Sequence, residues 1–300
     1  MACGILTQAV APKLAAWRLQ KKWSDRMQAV FYGTRGSVPV CEPGYFEFGG
    51  NTTCVCITFN SGRIAILDAG TGIRKLGIDL IERGHEQFDN IIIALSHTHW
   101  DHIQGFPFFK PAYDLRRHFT MAISGVDGAG GELKRVFEAQ MQSEFFPVPL
   151  ENIGAAFRFQ QLDLTDYTFP SGVKVAANLH THPGGAYGYR ISDGGKTLVY
   201  CTDIEHGDTI DPDVVALSRN ADLLIHDAQY TPEELPDKTG WGHSSWEQAV
   251  EVAEQAGVKK LALTHHDPEY DDAFILKMEK ACQERFPNAF FAREGVLIDL

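Results

Sequence analysis

From about Gln28 onward the chain alternates between two hydrophobic periods. Short runs rich in β-branched and aromatic residues predict strands at Val30–Tyr32, Thr53–Phe59, Arg63–Leu67, Ile91–Leu95, Phe119–Ser124 and Phe157–Leu162. Six more follow at Val173–Leu179, Tyr187–Ile191, Thr197–Cys201, Leu223–Ile225, Lys260–Leu263 and Val296–Ile298. Apolar residues three and four apart predict helices over Ile73–Arg83, Glu132–Gln142, Asp213–Arg219, Ser245–Ala256 and Asp272–Phe286. Two of these carry start signals. Ser244 and Ser245 precede Trp246, Val250 and Val252, and Asp271 and Asp272 precede Phe274, Ile275 and Met278. Strands and helices are intermixed, with no Pro/Gly/Ser linker and no internal repeat, so residues 28–300 read as one α/β domain.

Residues 1–27 differ in texture. Leu6, Val10, Leu14 and Trp17 recur at spacings of four and three among Lys13, Arg18, Lys21 and Lys22, the pattern of an amphipathic basic helix. Such an extension can dock on its own domain, on a second subunit or on a membrane surface. The stripe is short for a membrane helix, so docking on protein is the expectation and a homodimer stays open.

Composition narrows the class. Hydrophobic residues at 44% and charged residues at 22% exclude collagen, coiled coil and wholesale disorder. No apolar run approaches the roughly 20 residues that span a bilayer, and no basic segment precedes an apolar core at the start, so the cytoplasm is the expected compartment. The six cysteines are too scattered for a disulfide framework, and Cys54 and Cys56 read as small core residues. The net charge of −12 disfavours sequence-independent binding to a nucleic-acid backbone. Carboxylates that gather cations reverse that sign locally.

The candidate chemistry is concentrated in Ser96-His97-Thr98-His99-Trp100-Asp101-His102, directly after the apolar strand Ile91–Leu95. In an extended chain His97 and His99 point to one side, and a turn or helix start then presents Asp101 and His102 nearby. Imidazole with carboxylate suits zinc and other first-row metals. This H-x-H-x-D-H run resembles the signature of the metallo-β-lactamase superfamily, and further landmarks follow over about residues 29 to 300. Asp68 before Ala69-Gly70, His182 in His182-Pro183-Gly184-Gly185, Asp203 after a strand, and His265 in Leu263-Thr264-His265-His266-Asp267 resemble its remaining motifs.

The resemblance implies a four-layer αββα sandwich and a centre of two divalent ions, zinc first, with manganese or iron as options. It implies that His97, His99 and His182 hold one ion, that Asp101, His102 and His265 hold the other, and that Asp203 bridges them beside a hydroxide. Asp68 would buttress a ligand histidine. His180 shares a strand face with His182, which leaves the third ligand open between them; Gly188-Tyr189-Arg190 favours His182 by its likeness to ribonuclease Z. His266, next to His265, is left as a candidate substrate group.

Gly33-Thr34-Arg35-Gly36-Ser37, Gly49-Gly50-Asn51-Thr52-Thr53-Cys54 and Leu224-Ile225-His226-Asp227-Ala228 resemble the phosphodiesterase side of the superfamily, which includes ribonuclease Z and cyclic-nucleotide phosphodiesterases. There the resemblance implies a proton-donating pair, Asp227 with His243, while Asp101 and Asp203 orient the attacking oxygen. Phe108 and Lys110, after the histidine motif, are candidates for stacking on a base and meeting an anion. The tRNA-processing members carry a long arm between the third His and the bridging Asp, a stretch that here is short. The expected activity is hydrolysis of a small phosphodiester such as a cyclic nucleotide, and tRNA is not the expected partner. The rival readings are a lactone or thioester hydrolase with the same metals and a catalytically silent nucleotide-binding sensor.

Overall fold

The computed structural model describes residues 26–82, 90–125 and 131–300; the expected helix in residues 1–27 lies almost wholly outside them. The first half of the chain runs β1 (Gln28–Gly33), β2 (Cys54–Thr58), β3 (Ile64–Leu67), α1 (Ile73–Glu82), β4 (Ile91–Leu95), α2 (Trp100–Ile103), β5 (His118–Ser124), α3 (Gly131–Gln140) and β6 (Ala156–Leu162). The second half runs β7 (Tyr167–Thr168), β8 (Lys174–His180), β9 (Ala186–Asp193), β10 (Lys196–Cys201), α4 (Pro212–Ser218), β11 (Leu223–Asp227), α5 (Trp246–Ala256), β12 (Leu261–Thr264), α6 (Asp272–Arg285), β13 (Ala289–Phe291) and β14 (Leu297–Asp299).

These strands build two seven-stranded sheets, in the orders β14-β1-β2-β3-β4-β5-β6 and β13-β12-β11-β10-β9-β8-β7. In the first sheet β3 to β6 pair parallel, and in the second β10 to β13 do. Parallel neighbours require crossovers, and helices supply most of them.

Three apolar layers hold the molecule together. Between the sheets lie Phe31, Val55, Ile57 and Leu67 with Tyr200, Leu198 and Ile225. Outside the first sheet, Ile66, Ile93 and Leu95 pack with Ile73, Leu76 and Leu80 of α1 and with Phe106, Phe109 and Phe137. Outside the second, Val199, Leu224 and Leu263 meet Val250 and Ala253 of α5 and Ile275 and Met278 of α6. Helix, sheet, sheet, helix is the expected αββα sandwich. Cys54 and Cys56 are buried in β2 as small core residues.

The helix start signals work as read. Ser245 and Gln248 close a reciprocal capping box on α5, and the Asp271 side chain accepts from the Phe274 N–H at the start of α6. The strands β7 and β13 were not predicted. At two and three residues they are too short to show a period, and pairing with β8 and β12 creates them. Among the described residues no helix is long and apolar enough to cross a membrane.

Candidate metal centre

Open α/β sheets leave a crevice beyond the carboxyl ends of their strands, and this chain delivers its polar residues there. Asp68 follows β3, His97 and His99 leave β4, and α2 presents Asp101 and His102. From the second sheet come His182 after β8, Asp203 after β10, Asp227 at the end of β11, His243 before α5 and His265 after β12. Among the described residues, six other than glycine have positive φ: Ser37, Asp68, Asn90, Asp203, Asn220 and His265. Asparagine tolerates that region, whereas the other four all belong to this crevice, where the turn aims each side chain and the surrounding fold holds the strain.

The side chains converge into overlapping groups whose ligand atoms lie within 4.8 Å of one another: His97, His99 and His182; His97, His102 and Asp203; Asp101, His102 and His265. Asp203 sits between them. Its Oδ2 is 3.2 Å from His102 Nε2, and its Oδ1 is 3.4 Å from His265 Nε2 and 3.9 Å from both His97 Nε2 and His182 Nε2. Asp101 Oδ2 lies 3.1 Å from His265 Nε2 and 3.4 Å from His102 Nε2. His97 Nε2 and His102 Nε2 are buried without a hydrogen-bond partner. Orphaned buried nitrogens aimed at carboxylates are costly unless a cation completes them, so this donor set fits divalent metal.

A second ring of contacts fixes the rings. Asp68 accepts from His102 Nδ1 (2.9 Å), Ser96 N (2.7 Å), Ser96 Oγ (2.9 Å) and Tyr200 Oη (2.6 Å), which leaves His102 Nε2 for the centre. Gln229 Oε1 takes His265 Nδ1 at 2.9 Å, and the Gly242 carbonyl takes His182 Nδ1 at 2.9 Å. The Ser37 N–H donates to Asp101 Oδ2 at 2.8 Å. Glu205 accepts from the N–H groups of Gly240 and Gly242, anchoring the loop that supplies that carbonyl. Ser37 and Gly242 fall in motifs the sequence offers without a role for either residue, while Gln229 and Glu205 escaped the sequence reading; their signal was nearness in the chain to Asp227 and Asp203, which does not reveal contact. We expect Asp68→Ala to strand four donors in the core, destabilising the protein by about 3–5 kcal/mol in urea unfolding and weakening metal affinity about 10–100-fold.

Without metal, protons balance the carboxylates. Burial opposes ionisation of Asp101, but His102 and His265 hold it well below the usual carboxylate range; burial likewise opposes Asp203, which His102, His265 and His97 hold low. Burial and then His102 push His97 down to about 2. Burial pulls His265 down, yet Asp203, Asp101 and Asp227 outweigh it and raise His265 to about 9. A histidine raised in the folded state stabilises fully below about 6.5, its unfolded value, and that stabilisation is lost as pH rises through its folded value. Metal-free protein should therefore lose melting temperature between about pH 7 and about pH 10, and metal-loaded protein should lose less, because cations replace the proton. Equal losses in parallel melts would contradict this assignment.

Beside the centre, His243 Nδ1 meets Asp227 Oδ2 at 2.8 Å, and Asp227 also accepts from the N–H groups of Ser244 (2.8 Å) and Gln229 (3.2 Å). The His243 ring stacks on His265 with centroids 4.8 Å apart. The structure therefore brings together His97, His99, Asp101, His102, His182, Asp203, His265, Asp227 and His243. It seats His182, not His180, with His97 and His99. His180 is buried elsewhere, near the stacked pair His206 and His226.

His266 corrects an expectation. It is 0% exposed, its Nε2 is 2.9 Å from the Ala292 carbonyl, and its ring lies between Phe48 and Phe291, so it cannot meet substrate. Through its backbone it ties Thr34 and Gly36 to the end of β12. Phe108 is 56% exposed with its ring T-shaped to Phe146, and Lys110 is exposed on the following turn; among the described residues no hydrogen bond, ion pair or ring contact joins either to a ligand side chain. Arg35 is fully buried, donating to the carbonyls of Gly49, Asp267 and Tyr270, and so clamps loops around the crevice.

The family profile described as beta-lactamase superfamily domain matches residues 63–266. A ribonuclease Z of Haloferax volcanii is 25% identical, covering 91% of this chain and 95% of its own. Among solved structures, the metallo-beta-lactamase fold protein YhfI of Bacillus subtilis superposes with a TM-score of 0.68 at 21% identity, covering 92% of this chain and 100% of its own. A diphosphatase from the PhnP family gives 0.64 at 17%, covering 92% and 98%.

Proposed function

The chain belongs to the beta-lactamase superfamily as a metal-dependent hydrolase, and from that premise we propose that it is a phosphodiesterase acting on a small phosphodiester such as a cyclic nucleotide. The observation that carries this reading is the His243–Asp227 pair beside the candidate metal centre. An alkoxide leaving group needs a proton, and an imidazole held by a buried carboxylate is suited to give it from the ring nitrogen that the carboxylate does not engage.

His97, His99 and His182 would hold one cation and Asp101, His102 and His265 a second, with Asp203 between; the histidine-rich donor set favours zinc. When bound, divalent cations supply Lewis-acid stabilisation of phosphoryl charge and an acidified water. Within the chain, Asp227 fixes the orientation of His243, His243 protonates the departing oxygen, and the Ser37 N–H keeps Asp101 facing inward.

A small substrate is supported by the stretch between His182 and Asp203. It is a hairpin of β9 and β10 in which Asp193 pairs with Lys196, so only Gly194 and Gly195 form the turn, both with positive φ. Trp100, 79% exposed inside the histidine motif, and Trp241, 58% exposed next to Gly242, offer rings at the crevice. We expect Trp100→Ala to raise KM for a cyclic nucleotide about tenfold, from lost base stacking, with kcat within about twofold.

One observation favours a second reading, hydrolysis of RNA: the relative named ribonuclease Z aligns over nearly its whole length. Metal-loaded protein assayed against bis-p-nitrophenyl phosphate, cyclic nucleotides, a tRNA precursor and a lactone panel separates the possibilities. Preferential cleavage of the RNA establishes the second reading. Turnover of lactones alone replaces both with acyl chemistry, and tight nucleotide binding without turnover makes the protein a sensor.

A further inference from the structure

The inner faces of the two sheets do not close everywhere. In β4, Ile91, Ile93 and Leu95 are buried beneath the helices, while Ile92 and Ala94, which point at the other sheet, remain partly open. Strand residues between two packed sheets normally interdigitate into a dry core. Here they line a cavity of about 110 Å³. Its walls are Leu67, Ala94 and Ala122 from the first sheet and Val175, Tyr189 and Ile191 from the second.

The deep end offers no hydrogen bond. The Tyr189 hydroxyl is already committed, donating to the Leu95 carbonyl at 2.5 Å and accepting from the Ser124 N–H at 3.2 Å, so the ring turns its apolar face inward. Ordered water needs two to four polar partners and would find none there, whereas apolar cavities of comparable size take up apolar guests.

The mouth differs in kind. Ser61, Arg63, Asn90 and Ser171 border it. Arg63 is the one charged residue of the lining, and among the described residues no hydrogen bond or ion pair engages its exposed guanidinium. This mouth lies at the starts of β3 and β4, while the metal ligands leave their carboxyl ends, about 15 Å away at 3.3 Å per residue. It is therefore separate from the hydrolytic crevice.

We propose that the slot between the sheets binds a straight-chain amphiphilic carboxylate, its alkyl chain between Ala94, Ala122 and Ile191 and its head group on the Arg63 guanidinium. A guanidinium matches a carboxylate with two parallel hydrogen bonds, and the uniform apolar lining selects for chain length. The volume limits the buried part to a short or medium chain.

Calorimetric titration of the full chain with hexanoate, octanoate, decanoate and octanol tests this. Affinity should rise about three- to fourfold per added methylene until the slot is full. Arg63→Ala should weaken octanoate about five- to tenfold and leave octanol within about twofold. Ala122→Leu, which fills the slot, should remove binding of both; because Arg63 is exposed, its variant keeps the test decisive if Ala122→Leu does not fold. Affinity independent of chain length, or octanoate binding unchanged by Arg63→Ala, overturns the proposal. So does a full chain that takes up nothing, whether the slot is dry or is filled by residues 1–25 or by a second copy.

Discussion

Asp101→Ala should lower phosphodiester turnover to below about one-thousandth of the parent, the scale expected when preorganised charge is removed from a hydrolytic centre. The Asp101 carboxylate joins three partners: His265 Nε2 at 3.1 Å, His102 Nε2 at 3.4 Å and the Ser37 N–H at 2.8 Å. Its loss takes a ligand from the second proposed ion and frees the loop that Ser37 anchors. Circular dichroism should be unchanged, because the three apolar layers do not involve Asp101. Elemental analysis should show metal content falling with activity. His99→Ala should behave likewise, since its Nδ1 stands 3.1 Å from His182 Nε2 at an exposed edge of the cluster. Unchanged turnover in both variants would remove these residues from the reaction.

His243→Ala should lower kcat by about 10²–10⁴-fold, the usual contribution of a positioned general acid, with metal content intact. Metal retention separates this role from ligation, which the position of His243 near His182 and Asp203 makes a fair rival. The leaving group separates them again. An activated aryl ester releases p-nitrophenolate, which leaves without a proton, so His243→Ala should cost much less with bis-p-nitrophenyl phosphate than with an alkyl diester. Asp227→Asn should show the same pattern with a smaller loss, because it disturbs the orientation of His243 and not the proton itself. A uniform loss across leaving groups would make His243 a metal ligand or a structural residue.

The ambiguity between His180 and His182 and the misreading of His266 share a cause. His180 and His182 occupy one face only while the chain stays extended, and β8 ends at His180, so that His182 leaves the strand for the turn that continues through Gly184 and Gly185 and reaches the centre. His265 and His266 are neighbours whose directions depend on one dihedral: His265 adopts φ 63, which turns it into the crevice and sends His266 among Phe48 and Phe291. Backbone conformations of that kind are held by surrounding contacts and leave no mark in residue type.

Local order was enough to define the helices, most strands and the dense run from His97 to His102, because hydrophobic period and ligand spacing within a few residues are properties of the chain itself. Folding alone decided which distant groups meet. Gln229 behind His265 and the Gly242 carbonyl behind His182 arise because the strand order of the second sheet brings its loops to one edge, and the open slot between β4 and β9 arises from how two sheets pack. The residues so joined lie 36, 60 and 94 positions apart, and only the order of the strands and the spacing of the sheets bring them within reach.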